Sequence, residues 1–256
     1  MVVIASLGAG LFILASLFVG GRLLMLAYTT RGTAEFLLGL GLFCMGGIGY
    51  PLMAIMTRAD GLSDTVRCTL LIVHMCTSTL GMGALAGFTR RVFRPGQAWA
   101  GAFLASIILG FVALALLQIV GPGLMAFIED PKSGPWSSKV YLSFIPMTWA
   151  GVESIRYYSM LHKRLELDLA DPVVTDRMRL WGISILAADS ITVFGVAFNL
   201  MGLSITATPI GSILIGALGL VTAGALWLAF MPPQSYLDRV RASRPLGGAG
   251  SVKEGA

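Results

Sequence analysis

Apolar residues run along this chain in long blocks separated by short charged breaks. Seven blocks of about 20 residues, the length of helix that crosses roughly 30 Å of hydrocarbon, fall at 2–24, 35–56, 67–89, 98–121, 138–162, 178–202 and 208–231. The breaks TTRG, TRADGLSD, TRRVFRPGQ, EDPKSGPWSS and RLELDLADPVVTDR combine charges with Gly or Pro, which end helices and cannot lie unsatisfied in lipid. The pattern predicts an all-α fold: a polytopic integral membrane protein of seven transmembrane helices.

The first block, MVVIASLGAGLFILASLFVGGR, lacks a basic leader and has the length of a crossing, so it reads as a first span and not as a cleaved signal. The fifth is expected to run on past the bilayer, because HKRLELDLAD keeps leucines at helical spacing among charges. Asp171 should then cap the sixth helix, with Pro172 in its first turn. Residues 1–231 form the expected transmembrane domain. Residues 232–256 form a cytoplasmic tail, first amphipathic and basic around Tyr236, Leu237 and Val240, then Gly-rich and disordered. No internal repeat links the first three spans to the last three.

Composition agrees with the blocks. Of 256 residues, 56% are hydrophobic and 12% charged, where a soluble domain carries about 25% charged residues. Lys and Arg are distributed unevenly. Placing the N-terminus outside leaves only Arg58, Arg67, Lys132 and Lys139 on the outer side, with the basic clusters at 90–94, 163–164, 177–179 and 239–253 in the cytoplasm. The positive-inside rule therefore predicts an N-terminus outside and a cytoplasmic C-terminus in a multi-pass protein of the cell membrane. The basic charge follows from this topology and implies no nucleic-acid partner. Cys44, Cys68 and Cys76 read as buried small apolar residues, and Cys68 and Cys76 lie about 12 Å apart on one helix, too far for a disulfide.

The informative residues are the polar ones inside the blocks. A charge within a span costs roughly 2.5–3.5 kcal/mol on insertion scales, so it is expected to face the bundle interior and find a partner. Glu153, Arg156 and Asp189 are the candidates. Counting from the cytoplasmic ends of spans five and six puts Glu153 and Asp189 at a similar depth, and Glu153 and Arg156 can pair along one helix face. Span six carries a stripe of Trp181, Asp189, Thr192 and Asn199. Span five carries Pro146, Trp149, Glu153, Arg156 with Tyr157, and Met160. Span three adds Arg67, His74, Thr77 or Ser78, and Gly81, with His74 nearer the outer surface.

Two readings of this cluster compete. In one, Arg156 neutralises the carboxylates and the group only fixes how spans five and six pack. In the other, two carboxylates share one arginine, and one of them binds a ligand or couples to protons. His74 reads as a hydrogen-bonded histidine, since His162 is the only other one and lies near the cytoplasmic surface; that separation opposes a metal site and a bis-histidine haem. No cofactor is expected. Tyr50 and Pro51 mark an expected kink in span two.

Several functions lose support. A retinal Schiff base needs a lysine in the last span, and 208–231 has none; no Gly-x-Ser-x-Gly elbow or phosphate loop is present. Enzyme activity is the least supported class. What remains is a receptor-like sensor or accessory subunit that binds a small or lipidic ligand between spans three, five and six and acts on a separate cytoplasmic effector through 163–179, or else a small proton-coupled secondary transporter. The lipid bilayer is the one partner implied throughout.

Overall fold

The computed structural model describes residues 2–59, 61–120, 123–129, 135–203, 205–206 and 208–242. Lys132, Arg244, Lys253, the Gly-rich tail and the side chains of Arg58 and Trp136 lie outside the described residues. The described residues form helices and no strand: α1 (Val2–Thr30), α2 (Thr33–Leu42), a π-helical segment (Phe43–Gly49), α3 (Tyr50–Arg58), α4 (Asp64–Phe93), α5 (Ala98–Ile119), α6 (Gly123–Glu129), α7 (Pro135–Leu165), α8 (Pro172–Leu200), α9 (Pro209–Phe230) and α10 (Gln234–Ala242).

Six helices among the described residues are long and apolar enough to cross a membrane: α1, the composite of α2, the π segment and α3, then α4, α5, α8 and α9. The fifth expected span corresponds to α7, which at 31 residues has the length but is too polar to stand with these six. Lys139, Thr148, Glu153, Ser154 and Arg156 account for that polarity.

Local chemistry sets the helix ends. Asp171 accepts from the backbone N–H groups of Val173 and Val174 and caps α8 with Pro172 in the first turn, as its sequence predicts. Thr208 caps α9 in the same way, ahead of Pro209. The expected run of span five through HKRLELDLAD is cut short at Leu165. Asp168 turns into the left-handed region (φ 58°), the Leu169 N–H donates to the Arg164 carbonyl and the Asp168 N–H to that of Leu165. This bond pair closes a helix end once the chain has reversed, and it overrides the leucine spacing.

The kink expected at Tyr50 and Pro51 begins earlier than those residues. The chain widens to π geometry across FCMGGIG, and the Tyr50 N–H donates to the carbonyl of Met45, five residues back. A widened turn just before a proline takes up the residue whose α-helical bond the ring would disturb.

Packing closes a ring. α1 lies against α9 and α2, the second span against α4, α4 against α7, α7 against α8, and α8 against α9; α5 sits outside, against α4 and α7. Approaches in the ring are backbone to backbone at several helix pairs, closest at two of them. A Cβ on Gly8 of α1 would come within 2.7 Å of the Gly216 carbonyl of α9, and one on Gly20 within 2.9 Å of the Phe43 nitrogen. Small residues permit such contact, and membrane helices gain their association from it. The core joins Val19, Leu42, Leu85, Ala150, Trp181 and Leu226 of the ring with Phe111 of α5. On the outside, Phe18, Leu109, Leu117 and Ile210 are exposed, an apolar surface suited to lipid. Of the three cysteines Cys44 is buried, Cys68 half-buried and Cys76 exposed on that outer surface, so the expectation of three buried thiols is corrected.

Candidate functional site

Buried polar side chains lie on several helices, and three levels of α7 engage its neighbours through them. Nearest the end that carries the basic clusters, Glu153 is buried and accepts from Arg94, with Nε at 2.9 Å and Nη2 at 2.8 Å from the same Oε1. Arg94 immediately follows α4, and its guanidinium lies over the Trp99 ring, 5.6 Å from the centroid. Arg156, the partner expected from sequence, reaches the same oxygen only at 3.8 Å, and its side chain is 63% exposed. Arg156 is therefore an outer member of the cluster, and Arg94 is the counter-charge. The reason is geometric: the Arg94 side chain enters from the facing helix end, whereas a residue three positions along α7 projects partly outward.

At the middle level, Thr148 Oγ1 donates to Asp189 Oδ2 at 2.6 Å. Asp189 is 3% exposed, and its other oxygen, Oδ1, has no hydrogen-bond partner. Asp189 enters none of the ion pairs among the described residues. Its partner Thr148 precedes Glu153 by five residues, about 7.5 Å of helix. The two carboxylates thus sit at different depths and do not share an arginine, which corrects the equal-depth expectation. The count from sequence began at 162 and 178, whereas α7 runs to Leu165 and α8 begins at Pro172, so Asp189 lies farther from its helix end than Glu153 does from its own.

At the far level, Lys139 is 4% exposed. Its Nζ donates to the Met75 carbonyl at 3.1 Å, to Met75 Sδ at 3.2 Å and to Ser78 Oγ. His74 of α4 adjoins this group, its Nδ1–H donating to the Gly49 carbonyl of the π segment at 2.7 Å. In the sequence Lys139 counts only as one of four basic residues on the outer side; the structure shows it to be buried. The signal was present: 139, 146 and 153 continue one face of α7 at steps of seven. From Lys139 to Glu153 the helix runs beside α4 for about 21 Å.

The other candidates are dispersed. Trp149 packs on Phe103 and Trp99, at centroid distances of 5.0 and 6.2 Å. Trp181 is 1% exposed between the edges of Phe88 and Phe230. It also lines a cavity of about 30 Å³ at the centre of the ring, with Phe12, Met45, Leu85, Met147 and Thr222. Thr192 is half-buried. Asn199 is exposed and donates to the Tyr141 hydroxyl at 2.9 Å. The stripe read on span six is therefore inward at Trp181 and Asp189 and outward at Asn199. Arg94, Thr148 and Tyr141 were not singled out from sequence, since their partners lie 59, 41 and 58 residues away and no local pattern records such pairs. Among the described residues no three His, Cys, Asp or Glu side chains come together as a metal site would require.

Beyond the spans, α10 docks on α8. The Tyr236 hydroxyl donates to Asp176 Oδ2 at 2.5 Å, and Arg179 holds Oδ1 of the same carboxylate. Burial pushes the Tyr236 phenol above its ordinary range, and the Asp176 carboxylate adds to the shift.

No family model, curated protein or solved structure matches the chain. Fold and site define it by class: an all-helical bundle whose helices are apolar enough to span a membrane several times, with buried charge on α7 and α8.

Proposed function

We propose that the chain is a receptor-like sensor of the cell membrane, or the sensing subunit of a larger assembly. It has seven spans with α7 as the fifth, the N-terminus outside and the C-terminus in the cytoplasm. A small or lipidic ligand binds between α4, α7 and α8, and a movement of α7 passes the signal to a separate cytoplasmic partner at residues 163–179. One observation carries this reading: from a single helix, Lys139 and Glu153 bond to the middle and to the C-cap residue of α4, and Thr148 bonds to α8. A displacement of α7 at one end therefore changes contacts at the other. Pro146, buried between Lys139 and Thr148, removes one backbone hydrogen bond there and lets the helix flex.

The test is a thermal-shift screen of the purified protein against metabolites and lipids from pH 5 to 8, repeated with Glu153→Gln and Asp189→Asn. The sensor reading expects one compound class to stabilise the wild type and at least one folded variant to lose that response. If both variants keep the wild-type response and its pH dependence, the cluster serves packing alone.

A second reading, the proton-coupled transporter, is favoured by the unpaired Oδ1 of Asp189, since a buried carboxylate without a counter-ion is a natural place to hold a proton. Proton flux into liposomes that is lost in Asp189→Asn distinguishes it from the sensor.

A further inference from the structure

Lys139 is a buried cation whose partners do not match it. All three acceptors of its ammonium, the Met75 carbonyl, Met75 Sδ and Ser78 Oγ, are uncharged, and no acidic side chain lies within ion-pair distance among the described residues. Glu153 has Arg94; Lys139 has no equivalent among the described residues. A cation removed from water is costly until an anion meets it. One further cation lies on the face of α4 that carries Ser78: Arg67, His74 and Ser78 follow at steps of seven and four, and Arg67 Nε is buried with no hydrogen-bond partner. Next to this polar column lies an apolar one. Met56, Leu71, Met75 and Phe127 are at most 2% exposed and pack together, and Met75 belongs to both, with its sulfur on Lys139 and its side chain in the cluster.

We propose that the seam between α4 and α7 at Lys139 binds an amphipathic monocarboxylic acid of the medium-chain fatty-acid class. Its carboxylate accepts from Lys139 Nζ in place of the Met75 carbonyl, and its tail replaces the Met75 side chain against Leu71 and Phe127. Arg67, two turns further along α4, draws the anion toward the seam. This names the ligand class of the sensor proposed above and rests on that reading for its consequence, though not for the binding itself.

The experiment uses the full chain in nanodiscs of zwitterionic lipid, with decanoate as the probe and decanol and decyltrimethylammonium as matched controls of the same tail. Decanoate is expected to raise the melting temperature and to bind at least about tenfold more tightly than decanol, the usual worth of one charge-assisted contact; the cation is expected not to bind. Lys139→Met, which keeps length and apolar bulk, should weaken decanoate about tenfold and leave decanol unchanged. Arg67→Gln should weaken it only a few-fold. Equal binding of decanoate and decanol overturns the proposal, as does undiminished decanoate binding by folded Lys139→Met. So does stabilisation by chloride alone to the same extent, which would mark a small-anion site. Should Lys139→Met not fold, the wild-type ratio of decanoate to decanol decides. Fluorine NMR of fluorotryptophan at Trp149 separates the two levels of inference. Decanoate binding through Lys139 with an unmoved Trp149 signal keeps the site and sinks the sensor reading. A Trp149 response to other ligands without decanoate binding does the reverse.

Discussion

Glu153 shows how much a single residue discloses and where it stops. A carboxylate inside an apolar block must be buried with a partner or be expelled, so its burial followed from sequence; the identity of the partner did not, because Arg94 lies 59 residues away. The distinction has a measurable consequence. Arg94→Ala leaves Glu153 buried with only a distant, exposed guanidinium and is expected to cost about 3–5 kcal/mol, the usual cost of breaking a buried pair. Arg156→Ala removes a mostly exposed charge and should cost about 0–1 kcal/mol. Denaturation of the two variants side by side checks this, and a larger loss at Arg156 would reverse the assignment. Thr148→Val is the corresponding test at Asp189. It strips the carboxylate of its hydrogen bond, so a loss of about 1–3 kcal/mol is expected, while Asp189→Asn, which keeps an oxygen for Thr148, should lose less.

At the scale of elements, close approach and docking govern. The second span meets α1 where Gly20 faces Gly39, and a Cβ on Gly39 would lie 2.9 Å from the Leu24 nitrogen. Backbone cannot retreat as a side chain can, so Gly39→Val is expected to destabilise by about 1–3 kcal/mol. Gly21→Ala, on the same part of α1 but with nothing within 4 Å of the added carbon, should be neutral or slightly stabilising. Equal melting temperatures for the two variants would contradict this packing. The docking of α10 carries a pH prediction. The Tyr236 phenol is raised by burial and by Asp176, so the folded form holds its proton more tightly than the free chain does. The contribution is fully present below the ordinary phenol value of about 10 and is lost as pH rises through the folded value. Hydrogen exchange over Gln234–Ala242 should therefore accelerate above about pH 10. Tyr236→Phe should exchange faster at neutral pH and show no such step.

For the whole molecule, the ring of helices leaves direction across the membrane to the charges. With α7 as the fifth span, every basic cluster lies on one side, and reporter fusions at Gly96 and after Met231 are expected to be active only in the cytoplasm. Activity on the outer side at either position would invert the topology. The same ring explains why α7 can be polar. Its charged levels face α4, α8 and the segment after α4 and not lipid, so a helix that fails on average apolarity is accommodated by its neighbours.

Sequence alone determined the class of fold and most element positions. A block of about 20 apolar residues has few stable forms other than a membrane helix, and caps such as Asp171 with Pro172 act over three or four residues. It also marked Glu153, Asp189 and Trp181 as positions on the inner faces of their helices, whereas Lys139 served only to set the direction of the chain across the membrane. Tertiary structure decided the pairings: Arg94 with Glu153, Thr148 with Asp189, Lys139 with Met75 and Ser78, and the order of helices around the ring. The physical reason is that burial depends on the local pattern, whereas pairing depends on the relative rotation and axial shift of two helices. Both are set by distant contacts such as Gly8 against Gly216, which no stretch of sequence short enough to read by eye contains.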